Sequence, residues 1–418
     1  MSKVIIIGGG AAGLLAGLGA LSTGAPTIIL EKMPKVGRKL LITGKGRCNI
    51  TNNCSLEELV KNIPGNGRFL YSAFQHFTNT DMVQLLEDNG LPTKVERGNR
   101  VFPQSDKAMD VVDTLRRIFL NAKGEILTSH PVTKLKVADS KIVAVETSKK
   151  ELFTADAFVL ATGGSSYVGT GSTGDGYRMA GEIGHTIVPL RPSLVPLECP
   201  VDLVKNLQGL SLKNVTASLL VNDKIVGEEF GEMLFTHFGV SGPIILSLSE
   251  KMPLPEKRAG KKITLVIDLK PALTPEQLDA RVQRDFKEFS RKHLVNGLNK
   301  LLPLSLIPEI IKAGNLNPEE EINQITKEQR QQLVTTLKNF TLPVIGTRPL
   351  AEAIVTAGGI SLKEVNPKTL GSKLFANLFL AGEVLDINGY TGGFNLQAAF
   401  SSGYVAGESA GRFAQGEE

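Results

Sequence analysis

Four short apolar runs frame this chain. Val4-Ile5-Ile6-Ile7 comes first, and Thr27 to Leu30, Ala157 to Leu160 and Leu378 to Leu380 share its character. A β-branched run without polar alternation predicts a strand buried on both faces. Between the first two runs, Ala12 to Leu21 is apolar and small, which predicts a helix packed on the strands. Leu396 to Gly411 predicts a second helix of small residues near the far end. Leu56 to Ile63, Thr80 to Asn89, Asp106 to Lys123 and Tyr177 to Ile183 also carry helical spacing. Thr128 to Leu135, Ile142 to Thr147 and Glu151 to Thr154 alternate as strands around a tight turn near Asp139-Ser140. They predict a small three-stranded layer.

The pattern changes at Pro189. Pro189, Pro192, Pro196 and Pro200 space out an extended segment. Leu212 to Leu220, Lys224 to Glu229 and Ile263 to Leu269 then alternate like strands of an antiparallel domain. Thr274 to Asn299 predicts a long basic amphipathic helix, opened by Thr274 as N-cap and Pro275 at the first helical position. Leu304 to Ala313 and Lys327 to Phe340 predict two shorter helices. The pattern then returns to its opening character. The expectation is an α/β protein in which residues 1–189 and 349–418 form one domain. Residues 190–272 form an inserted antiparallel β domain, and 273–348 an inserted helical subdomain.

Glycines at the ends of the apolar runs supply the chemistry. Gly8, Gly10 and Gly13 follow the first run as G-x-G-x-x-G. Gly8 permits the tight strand-to-helix turn, Gly10 lets backbone approach a pyrophosphate, and Gly13 lets helix and strand pack closely. The helix start, with Ala11 and Ala12, offers unpaired N–H groups and a positive dipole end to phosphates. Glu31 closes the second run, placed to accept hydrogen bonds from an adenosine ribose. This strand–turn–helix–strand–acid order predicts a Rossmann-type dinucleotide site. Thr162 and Gly163 end the third run and let the chain turn beneath a nucleotide. Gly382-Glu383 end the fourth. The order strand, Gly-acid, glycine turn and helix resembles the way two-domain flavoproteins commonly close, and that likeness implies Glu383 for ribityl hydroxyls and the helix start at Gly393, Asn395 and Leu396 for negative charge at flavin N1 and O2. Val4 to Leu21 is eighteen residues without a charge, but its six glycines and strand-forming start argue against a membrane span or signal peptide.

At 418 residues the chain has room for two or three domains. Three cysteines make no disulfide framework and point to a reducing cytoplasm. His and Cys never cluster at metal-ligand spacing, so no metal site is expected. Net charge is +5. The excess lies in residues 256–300, where eleven Lys/Arg face six Asp/Glu, and in Lys32 to Arg47, which holds six bases and no acid. Solvated helix faces account for such runs, and so does an anionic partner, either cofactor phosphates or nucleic acid.

Several motifs resemble one family from end to end. They are Gly8-Gly9-Gly10-Ala11-Ala12-Gly13, Gly37-Arg38-Lys39 with Gly44-Lys45-Gly46-Arg47-Cys48-Asn49-Ile50-Thr51-Asn52, Ala161-Thr162-Gly163-Gly164, Thr236 to Pro243, Gly382-Glu383-Val384-Leu385-Asp386, and Gly392-Gly393-Phe394-Asn395-Leu396-Gln397. The chain is similar to the YhiN/BaiN-like FAD-dependent oxidoreductases, often described as aminoacetone oxidases. The resemblance implies tightly held FAD in a Rossmann-type domain with inserted β and helical parts. It also implies reduction of an activated C=C bond. NAD(P)H is the expected transient reductant. Two substrates follow from the resemblance: a uracil of 23S ribosomal RNA, giving dihydrouridine, or a steroid-type enone. Lys32, Arg38, Lys39, Gly44, Arg47 and Val132 join the candidate cofactor-binding set.

Cys48 is the candidate proton donor or site-lining residue, its thiol lowered in pKa by adjacent Arg47, and a small buried filler is the alternative reading. A disulfide reductase is the rival redox reading, but Cys48 and Cys54 are separated by five residues rather than four, and no second G-x-G-x-x-G follows. A flavin-containing RNA-binding or ribosome-assembly factor without turnover is the non-catalytic alternative. Phosphate contacts for RNA would come from Lys257, Arg258, Lys261, Lys262, Arg281, Arg284, Lys287, Arg291 and Lys292, with Phe286 and Phe289 between them.

Overall fold

The computed structural model describes residues 3–417. The chain forms two compact units. One joins the chain up to Ser193 with the chain from Leu350 onward, and the other is Leu194–Pro349.

The first unit is built on β1 (Val4–Ile7), α1 (Ala11–Ser22), β2 (Thr27–Leu30), β3 (Glu125–Leu127), β4 (Ala157–Leu160), β5 (Leu378–Leu380) and α2 (Phe394–Gln415). The strands form a parallel sheet in the order β5-β4-β1-β2-β3, with Val4 beside both Ala157 and Thr27. β1, β4 and β5 are buried along their whole length, which is why their sequences lack alternation. α1 and α2 cross at backbone distance. A Cβ on Gly407 would lie 1.8 Å from Ala16 O, and one on Gly19 2.1 Å from Tyr404 O. The small-residue composition of both helices is therefore a packing requirement.

The three-stranded layer is Val132–Ala138, Lys141–Thr147 and Leu152–Phe153, all antiparallel. Its turn places Asp139 and Ser140 at φ 48° and 57°, the left-handed pair of a tight hairpin. The first strand starts at Val132 rather than Thr128, because Ser129 at φ 57° breaks the extended run. Residues 125–127 serve instead as β3 at the sheet edge. The proline-spaced segment is a strand, Ile187–Ser193, whose single partner is Val355–Ile360. One unpaired edge tolerates Pro189 and Pro192.

The second unit holds a seven-stranded antiparallel sheet. Its order is Phe340–Pro343, Ile263–Asp268, Ser211–Val221, Lys224–Thr236, Gly239–Ser241, Leu197–Glu198, Gly346–Thr347. Helices pack on it through Leu278, Val282, Leu333 and Leu337. The expected long helix is Pro275–Glu288 only, opened by a capping box between Thr274 and Gln277. Beyond Phe289 the chain turns so that Leu294 and Leu298 enter the core, and His293 bridges Glu321. The Lys327 helix likewise stops at Lys338, and the alternating burial of Phe340–Pro343 makes a strand there.

Candidate active site

The ends of β1, β2, β4 and β5 converge on one pocket in the first unit. Gly8, Gly10, Ala11, Ala12, Glu31, Lys32, Arg38, Lys39, Val132, Thr162, Gly163, Gly382, Glu383, Asn395 and Leu396 all line it. Gly8 turns at φ 104°, and a Cβ there would sit 2.6 Å from Ala161 O. Gly10 is different: a Cβ there meets nothing within 4 Å. Gly13 is off the wall and serves packing, since its Cβ would fall 1.8 Å from Gly8 O.

Each acid is held by named donors. Glu31 accepts from Gly9 N and Met33 N, both at 2.7 Å. Burial pushes its carboxyl upward, against the two backbone bonds. Lys32 pairs with Asp175 at 2.6 Å. Glu383 accepts from Lys39 Nζ at 2.7 Å and from Thr356 N at 2.8 Å, while Lys39 also donates to Ser166 Oγ at 2.8 Å. Gly163 stands at φ 73°, and Thr162 Oγ1 is buried without a hydrogen-bond partner. α1 and α2 both begin at a glycine, Gly10 and Gly393, and no side chain caps either start. Their first-turn N–H groups are available to a ligand.

Four further residues expected at the site are off the wall. Cys48 is 0% exposed, lies in the hydrophobic core, and is not on the pocket wall. Burial pushes its thiol up to about 12, the reverse of activation by Arg47. Arg47 is also off the wall. It pairs with Glu96 and Asp106 and stacks 4.1 Å above the Phe102 ring. Gly44 is off the wall too and makes a left-handed turn at φ 56°. Gly393 is not a wall residue but starts α2.

Sequence reading missed Lys35, Thr43, Asp175, Ile354, Val355 and Asn388, which also line the pocket. The glycine-rich stretch 169–176 was a usable signal for Asp175. Ile354 and Val355 carry no motif, and only the pairing of Val355–Ile360 with Ile187–Ser193 brings them in.

In the second unit, Arg258, Lys262 and Arg281 are engaged by Thr347, Asp223 and Asp285. Lys292 lies 4.2 Å over the Phe289 ring. Phe286 belongs to the core, while Arg284, Lys287 and Arg291 are exposed. No helix among the described residues is long and apolar enough to cross a membrane.

Residues 2–409 match the family model described as HI0933-like protein Rossmann domain. The chain belongs to the HI0933-like Rossmann family. Members of this family are flavin-dependent oxidoreductases, and so is this chain. It is 30% identical to a 3-dehydro-bile acid delta(4,6)-reductase from Clostridium scindens, over 98% of this chain and 99% of that one. It is 31% identical to a ribosomal RNA dihydrouridine synthase from Haemophilus influenzae, over 98% and 99%. The fold is similar to that of 3-ketosteroid delta1-dehydrogenase from Sterolibacterium denitrificans, with TM-score 0.53, 14% identity and 99% of each chain covered.

The residues fit FAD. Gly10 leaves open the space that a Cβ would enter, and two uncapped helix starts face one pocket.

Proposed function

We propose that this chain holds FAD in the glycine-lined pocket and reduces a uracil of ribosomal RNA to dihydrouridine, with NAD(P)H as the electron source. One observation carries the reading. Two relatives aligned over nearly the whole chain are named for reactions of one kind, saturation of a C=C bond conjugated with a carbonyl. RNA is favoured over a steroid by the +5 net charge and by exposed Arg284, Lys287 and Arg291.

The roles follow from the wall. N–H groups at the start of α1 receive the pyrophosphate, with Gly10 leaving room. Glu31 keeps lone pairs for ribose hydroxyls beyond its two backbone bonds. Glu383, oriented by Lys39 and Thr356, faces the ribityl chain. The start of α2 supplies positive potential toward the flavin ring. Bound flavin would supply two-electron transfer. No cysteine, histidine or tyrosine lines the pocket among the described residues; its ionisable side chains are Glu31, Asp175 and Glu383 with Lys32, Lys35, Arg38 and Lys39, so Cys48 is not the group that would hand a proton to a substrate there.

The test is a gene deletion with dihydrouridine mapped across ribosomal RNA. Loss of the modification, restored by the wild-type gene, supports the reading. An unchanged modification map, with robust enone reduction by the purified protein, replaces it with the steroid-type substrate.

A further inference from the structure

The segment Asn49-Ile50-Thr51-Asn52 has no role in the site as described, although it follows Cys48 directly. Its Asn49, Thr51 and Asn52 side chains reach the start of α2. With its carboxamide oriented by its neighbours, Asn49 donates to Thr51 O at 3.1 Å and Val101 O at 3.2 Å, and accepts from Gly393 N at 3.0 Å. Asn52 Nδ2 donates to Gly392 O and Gly98 O, both at 3.0 Å. Thr51 Oγ1 donates to Gln397 Oε1 at 2.7 Å. Gln397 Nε2 donates to Ser401 Oγ at 2.9 Å, and Ser401 Oγ to Phe77 O at 2.7 Å. Thr51, Gln397 and Ser401 are each 0% exposed.

The contact leaves no slack. Gly393 stands at φ 101°, and a Cβ there would lie 2.4 Å from the Thr51 carbonyl carbon. The peptide before the first turn of α2 is thus gripped from one side by Asn49 and Asn52, and its first turn by Thr51. That same turn presents Asn395 and Leu396 to the pocket.

We infer that Asn49 and Thr51 are positioning residues of the flavin site: they fix the N-terminus of α2 against the pocket through Gly393 and Gln397. The inference rests on FAD occupying this pocket. A helix start carries about half a positive charge whose influence falls off within one turn, so its placement sets its effect. Buried, fully paired amide and hydroxyl networks give such placement rigidity. Negative charge gathers on a flavin ring when it gains electrons, and a displaced helix start stabilises that charge less.

The test uses holoprotein. Thr51→Val keeps shape and removes the hydroxyl, and Thr51→Ser restores it. Asn49→Leu removes both halves of the carboxamide bonding, and Asn49→Gln keeps the amide but displaces it by one methylene. The readouts are flavin midpoint potential and affinity for sulfite, a probe of the ring's acceptance of negative charge. Thr51→Val and both Asn49 variants are expected to show more negative potentials and at least tenfold weaker sulfite binding, with Thr51→Ser at the wild-type values. If Asn49→Leu does not fold, Asn49→Gln and Thr51→Val carry the comparison. Potentials and sulfite affinities equal to wild type in yellow Thr51→Val and Asn49→Gln proteins overturn the inference. A colourless wild-type protein that binds no added FAD overturns instead the reading on which it rests.

Discussion

Replacing Gly10 by valine separates the cofactor from the fold. Gly10 sits at φ −84°, ψ −163°, extended backbone that a β-branched residue adopts, and a Cβ there touches nothing within 4 Å. The new methyl groups therefore stand in the pocket and not in the core. They displace a phosphate from the first N–H groups of α1. Hydrogen bonds to a charged group are worth ~1.5–3 kcal/mol each. Losing two costs about 3–6 kcal/mol, a rise in FAD Kd of roughly 10²- to 10⁴-fold. The apoprotein should keep its stability to within about 0.5 kcal/mol, because no packed atom moves. Visible absorbance gives the flavin content, calorimetric titration of stripped protein gives Kd, and thermal melting of apoprotein gives stability. Gly13→Ala is the contrast: its Cβ falls 1.8 Å from Gly8 O, so fold and flavin should be lost together. A Gly10→Val protein with full flavin content would refute the placement of the phosphates.

Three further outcomes follow. Cys48→Ser should retain turnover within about threefold and lose only stability, on the order of 1 kcal/mol; a hundredfold loss of turnover with flavin content intact would return the thiol to the chemistry. Gly407→Ala should lower stability by about 1–3 kcal/mol or more, because its Cβ would lie 1.8 Å from Ala16 O between α1 and α2; an unchanged melting temperature would contradict that packing. His185 is sealed, bonded to Glu364 and Ser372 at 3.0 Å, and burial lowers its pKa. The unfolded chain then binds the extra proton first, so His185 contributes stability above its unfolded pKa of about 6.5 that is lost as pH falls through and below that value. Denaturant titrations from pH 8 to 5 should show a decline that His185→Gln flattens, and parallel curves for the two proteins would count against this.

Much of the glycine wall of the pocket was legible because its residues are forced by backbone geometry. A positive φ at Gly8, Gly163 and Gly382 and a Cβ-free approach at Gly13 leave an imprint in the sequence. The buried parallel strands were legible for a similar reason, since burial on both faces removes alternation. Charge was less informative. Arg47 and Cys48 are neighbours in sequence, yet one turns to Glu96 and Asp106 and the other into the core. Arg47 is right-handed and Cys48 stands at φ 61°, and no local rule says which way each side chain then points. The end of the basic helix at Glu288 was hidden because it is set by Leu294 and Leu298 finding a distant core. The carboxamide contacts of Asn49 and Asn52 depend on a partner more than 300 residues away and were equally out of reach.

The central claim is flavin-dependent reduction of a uracil in ribosomal RNA. Its most direct test incubates purified holoprotein, NAD(P)H and ribosomal RNA from the deletion strain, and then measures dihydrouridine by mass spectrometry of the digested nucleosides. The account predicts dihydrouridine at discrete positions, formed in proportion to NAD(P)H consumed and absent with Gly10→Val. NAD(P)H consumed on an enone panel with no dihydrouridine formed in the RNA would contradict it.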